Sequence, residues 1–193
     1  MKLHTVKFLG GLVLALAGQA HAADDEDVEG MVGMLHIRGS MHEMPCSLEM
    51  TSLHQTIDLG AVSASQLRRP GDQAMSVPFQ LRFQDCQRTA GSIRNERTGN
   101  LTWSAHQPVL SVMFVAPADA DDPRLVKVQG ITGMGLQLTD AQGRDVQLGA
   151  NGQPLFLPLG GNTQTWNVHP TRTAAPLTSG AFRAVVDFRL NYQ

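Results

Sequence analysis

Gly180-Ala181-Phe182-Arg183-Ala184-Val185-Val186-Asp187-Phe188-Arg189-Leu190-Asn191-Tyr192-Gln193 is the stretch that decides the fold. Phe182, Ala184, Val186, Phe188, Leu190 and Tyr192 fall on one face of an extended chain, and Arg183, Asp187, Arg189 and Asn191 fall on the other. Val185 is the only apolar interruption. A period of two held from Phe182 to Tyr192 predicts a strand longer than the usual five or six residues, lying on a core.

The same period recurs upstream. Phe79-Gln80-Leu81-Arg82-Phe83 alternates, and Leu110-Ser111-Val112-Met113-Phe114-Val115 is apolar enough to read as a central strand. Gly135 to Thr139 and Asp145 to Leu148 flank Asp140-Ala141-Gln142-Gly143, a turn-forming quartet, and predict a hairpin. Glycine and proline punctuate the chain where these segments end, and no long segment repeats at 3.6. The expectation is an all-β domain.

The start of the chain reads differently. Lys2 and Lys7 precede an apolar run from Phe8 to Ala17, and Ala20-His21-Ala22 offers small residues at a cleavage point, so residues 1–22 read as a secretory signal peptide. The run is too short to span a bilayer. Without Lys2 and Lys7, 13 basic residues face 17 acidic ones, an excess that argues against nucleic acid as a partner. Cys46 and Cys86 are the only cysteines, and two thiols in an oxidising compartment read as one disulfide. Closing a loop of that length restricts the unfolded chain by about 4 kcal/mol.

Residues 23–43 read as an extension ahead of a domain at 44–193. Ala23 to Glu29 is mostly acidic, and Met31, Gly33, Leu35, Ile37, Gly39 and Met41 then form a second alternating set broken by glycines. Such a strand fits a groove with a shallow place in it.

Several chemical readings compete with a purely structural one. Met31, Met34, Met41, His42, Met44, Cys46 and Met50 gather soft ligands suited to a periplasmic copper site, though strand alternation already accounts for Met31 and Met41. His42-Glu43 begins a zinc-protease motif, but Cys46 stands where its second histidine belongs. Asp119, Asp121 and Asp122 lack the ordered ligand positions of an EF-hand, and Gly130, Gly133 and Gly135 do not fit a dinucleotide fingerprint. No GxSxG is present. The chain reads as a non-enzyme without cofactor or metal, and a sugar-binding sandwich would have only Trp103 and Trp166 as aromatic platforms.

Taken in order, these pieces resemble the pilin subunits of chaperone–usher fimbriae. His36-Ile37-Arg38-Gly39 and Pro45-Cys46 resemble the N-terminal extension and first cysteine. Ile57-Asp58-Leu59-Gly60 resembles an early strand, and Phe79-x-Leu-x-Phe-x-Asp-Cys86 resembles the segment carrying the second cysteine. Gly180 through Tyr192 resembles the terminal motif, a glycine fourteen residues from the end and a tyrosine next to last.

The resemblance implies an incomplete immunoglobulin-like sandwich that lacks its last strand. A periplasmic chaperone would lend that strand during folding, and a neighbouring subunit's extension would replace it at the outer-membrane usher, carrying the protein to a fimbrium on the cell surface with a part in cell adhesion. It implies Met31, Leu35, Ile37 and Met41 as donor residues, with Gly39 at the position kept free of a side chain. Gly180, Phe182, Ala184, Val186, Phe188, Leu190 and Tyr192 would line the acceptor groove, and the chaperone would grip the Gln193 carboxylate. Thr89 to Gln107, carrying Trp103, departs from the pattern as an insertion, which favours a minor subunit, an adaptor or an assembly terminator over the major one.

Overall fold

The computed structural model describes residues 34–39 and 44–193. The chain divides into two units, residues 1–40 and 41–193. In the first, the described residues adopt no regular secondary structure. The second is an all-β domain.

Its strands are β1 (Ser47–Leu48), β2 (Val77–Cys86), β3 (Gly91–Arg94), β4 (Leu101–Ser104), β5 (Val109–Val115), β6 (Val126–Lys127), β7 (Met134–Asp140), β8 (Leu155–Phe156), β9 (Gly160–Arg172) and β10 (Asp187–Tyr192). One short helix, α1 (Met50–Leu53), follows β1. A five-stranded sheet runs β1-β2-β9-β7-β6, a three-stranded sheet runs β10-β5-β8, and β3 and β4 pair separately. All ladders are antiparallel.

The core lies between the two larger sheets. Leu81 and Phe83 of β2, Leu136 and Leu138 of β7, and Trp166 and Val168 of β9 face Leu110, Val112 and Phe114 of β5. Phe79, Phe114 and Trp166 pack ring on ring across the gap, with centroids 5.4 to 6.0 Å apart, joining three strands from both sheets. Cys46 and Cys86 form the expected disulfide, which ties the chain ahead of β1 to the end of β2. At that end β2 bulges between Phe83 and Cys86, and Asp85 takes a left-handed φ of 54°.

Three expectations need correction. The C-terminal strand begins at Asp187, not Phe182. Its partner β5 runs out at Val115, opposite Asp187, and then meets Ala116 and Pro117, so residues before Asp187 have no strand to pair with there. Arg183 instead exchanges both backbone hydrogen bonds with Gln129. Alternating burial still continues from Phe182 to Leu190.

The second arm of the expected hairpin is reduced to a single bridge, Thr139 to Asp145, because β9 holds one edge of β7 and β6 holds Gly135 and Leu136 on the other, which leaves the arm only the far end of that edge. Its turn forms as read: the Asp140 carboxylate accepts from the Gln142 and Arg144 N–H groups and pairs with the Arg144 guanidinium at 2.7 Å. Ile57 and Leu59 pack on the core without joining any ladder. The Thr89 to Gln107 insertion is an ordered hairpin of β3 and β4, closed by Asn95, whose side chain accepts from the Arg97 and Thr98 N–H groups.

Candidate functional site

Two stretches of backbone flank an opening between the sheets. One is Leu53 to Ile57, which leaves α1 and pairs with no strand; the other is Val185 to Phe188, where the C-terminal segment enters β10. Between them lies a cavity of about 500 Å³ floored by Leu81, Phe114, Leu138 and Val168. Those four side chains come from β2, β5, β7 and β9, so the floor is the hydrophobic core itself.

The wall built by the C-terminal segment has the alternation that the sequence predicts. Phe182, Ala184, Val186, Phe188, Leu190 and Tyr192 are all half-buried, whereas Leu110, Val112 and Phe114 on the neighbouring β5 are at most 3% exposed. Phe188, Leu190 and Tyr192 stand opposite Phe114, Val112 and Leu110 in the ladder, so they share the inward face. Their partial exposure marks where the sandwich stops short. β10 is an edge strand: β5 holds one side, and no described residue pairs along the other.

Gly180 lies where a Cβ would come within 3.3 Å of Ile131, so it packs the start of this wall closely onto the chain after β6. At the far end the Tyr192 hydroxyl is shut off from water without a hydrogen-bond partner, and burial pushes its pKa up to about 12. A buried orphan hydroxyl is rare, and it sits on the strand whose outer edge is open.

Of the residues read as a donor strand, Leu35 and Ile37 are exposed at 83% and 85%, and a Cβ on Gly39 would meet nothing within 4 Å. Met31 and Met41 lie outside the described residues, as do the signal peptide and His42.

The chemical alternatives gain nothing. Cys46 is held in the disulfide and offers no thiolate, while Met34, Met44 and Met50 are exposed. Among the described residues no three His, Cys, Asp or Glu side chains gather to hold a metal ion. Asp119 accepts from the Asp121 and Asp122 N–H groups, Asp121 accepts from Ala175, and a hydrogen bond from the Arg124 guanidinium holds the Asp122 carboxyl below its usual range. Trp166 is a core residue and no platform for a sugar; Trp103 is exposed on β4.

What sequence reasoning missed is the other wall. Leu53 to Ile57 has no strand-like alternation of its own, and only the apolar Ile57 and Leu59 signal it.

A family model described as fimbrial protein matches residues 35–193. The chain belongs to the fimbrial protein family. It is 28% identical to the fimbrial subunit type 1 of Klebsiella pneumoniae over the whole of both chains, and 26% identical to long polar fimbria protein A of Salmonella typhimurium over 97% of this chain and 96% of that one. Among solved structures it is similar to the P pilus rod subunit PapA, with a TM-score of 0.63 and 26% identity across 78% of this chain and 100% of that one. The chain is thus a chaperone–usher fimbrial subunit with an immunoglobulin-like pilin fold, and the family is structural, not enzymatic.

Proposed function

We propose that this fimbrial subunit polymerises by donor-strand exchange: its groove takes the extension of the next subunit, and its own residues 23–43 fill the groove of another. The observation that carries this reading is the unpaired edge of β10 beside an apolar opening floored by the core. A strand laid there would pair with the free backbone of β10 and insert alternate side chains between the walls. Leu35, Ile37, Met31 and Met41 are the inserting residues, and Gly39 sits where the groove is shallow. Each large apolar side chain buried contributes about 1.5 to 3 kcal/mol before ordering costs.

Until the donor arrives, the opening exposes core and an unpaired edge together, which is an aggregation hazard. A periplasmic chaperone covers it after export, engages the C-terminal strand through Gln193, and hands the subunit to the outer-membrane usher. The destination is the fimbrium on the cell surface, with a structural contribution to adhesion. The hairpin at Thr89 to Gln107 supports a minor position in the fibre.

The test is to refold the mature chain with and without a synthetic peptide of residues 23–43. Aggregation without the peptide and a stable one-to-one complex with it are expected; a soluble, cooperative monomer that ignores the peptide would sink the reading. An assembly terminator is the second reading, favoured by the same hairpin. It predicts that chaperone-bound subunit refuses displacement by a second copy's extension, whereas an internal subunit accepts it.

A further inference from the structure

The hairpin of β3 and β4 touches the C-terminal strand at its last residues through two separate sets of hydrogen bonds. In the first, the Ser92 N–H donates to the main-chain oxygen of Gln193 at 2.8 Å. Tyr192 is still paired with Leu110 in the β10–β5 ladder, so Gln193 is the first residue past it. The neighbour of Ser92 is Gly91, and a Cβ there would fall 2.6 Å from the Val109 nitrogen and 2.8 Å from the Gln193 oxygen. Both are backbone atoms at the end of the ladder, so no side chain larger than hydrogen fits without displacing β3 from β10.

The second set runs through side chains. Asn191 donates to the Asn151 carbonyl oxygen at 2.6 Å, and Asn151 donates to the Glu96 carboxylate at 2.7 Å. Ser111, opposite Asn191 in the ladder, is buried at 1% beside them. Glu96 lies in the turn of the hairpin and Ser92 near its base, so the base is bonded directly to Gln193 and the turn reaches Asn191 through Asn151. Ile93, between them, is buried and anchors the hairpin face that turns inward.

We propose that this hairpin is an intramolecular clamp that fixes the end of β10, with Gly91, Ser92, Glu96 and Asn151 as its positioning residues. A terminal edge strand would ordinarily fray, because its last residues have one neighbour at most. Here Asn191 and Gln193 acquire contacts from outside their own sheet. The open edge is thereby presented in one register before any partner strand pairs with it. That consequence rests on the donor-strand reading above, whereas the clamp itself does not.

Hydrogen exchange tests the clamp, on the mature chain held in complex with the peptide of residues 23–43 or, should the chain be a soluble monomer that ignores the peptide, on the free chain. Gly91→Val and Glu96→Ala should each raise exchange of those Asp187 to Gln193 amides that bond to β5 about tenfold while leaving β2 and β9 unchanged, and Glu96→Gln, which keeps the acceptor oxygen, should restore protection. Unchanged exchange at Asp187 to Gln193 in both variants would overturn the clamp, as would equal acceleration throughout the domain. Binding of the peptide, read by native mass, reports on the donor-strand reading separately.

Discussion

Tyr192 shows what a single buried group reveals about an unfinished fold. In the unfolded chain its phenol titrates near 10, and in the domain burial raises this to about 12. The folded state therefore keeps the proton longer, and the associated stability is intact below pH 10 and lost as the pH rises from about 10 to 12. Tyr192→Phe should remove that part of the pH dependence, seen in the difference between the two chemical-denaturation profiles. At neutral pH it should also stabilise the peptide-free domain by about 1 kcal/mol, since it deletes an unsatisfied buried hydroxyl. The disulfide is the opposite case, legible from two cysteines and an N-terminus that reads as an export signal. Cys46→Ser with Cys86→Ser should cost about 4 kcal/mol in denaturant titrations, because the loop it closes spans 40 residues. Trp166 was not legible in this way: nothing in its immediate sequence separates an exposed aromatic from one packed between Phe79 and Phe114.

Strands with an apolar stripe could be read directly, and those without one could not. β2, β5 and β7 each carry alternating or continuous apolar residues and occur where the pattern places them. β9 is the longest strand, yet Gly160 to Thr165 is entirely polar or glycine; its place is set by pairing with β2 on one side and β7 on the other. β10 shows the limit in reverse. Its side-chain period extends to Phe182, but a ladder needs a neighbour, and Pro117 ends the neighbour early. The half-buried C-terminal wall of the opening was thus legible from the alternation, whereas the opposing wall at Leu53 to Ile57 depends on tertiary contacts that no local pattern encodes. At this scale Ile37→Asp in the peptide of residues 23–43 should weaken binding at least tenfold by calorimetry, from the loss of about 1.5 to 3 kcal/mol of apolar burial.

On the proposed reading, the domain is a sandwich whose missing strand is encoded in its own sequence and delivered to a neighbour. Copying residues 23–43 behind Gln193 through a flexible linker, with the original extension deleted, should give a soluble monomer with a sharp thermal transition, checked by calorimetry and light scattering. The link between Arg183 and Gln129 bears on how such a molecule carries load. The C-terminal segment is bonded to the chain following β6 at Arg183 and to β5 from Asp187 onward, so it is stitched to both halves of the sandwich. Tension applied along the axis of β10 loads the six β10–β5 pairs in shear, and the Arg183 pair with them. Single-molecule pulling on the linked monomer should show a lower rupture force for Arg183→Pro, which removes one of the two Gln129 bonds. A fibre built from such units would resist stretching through its seams before its subunits come apart.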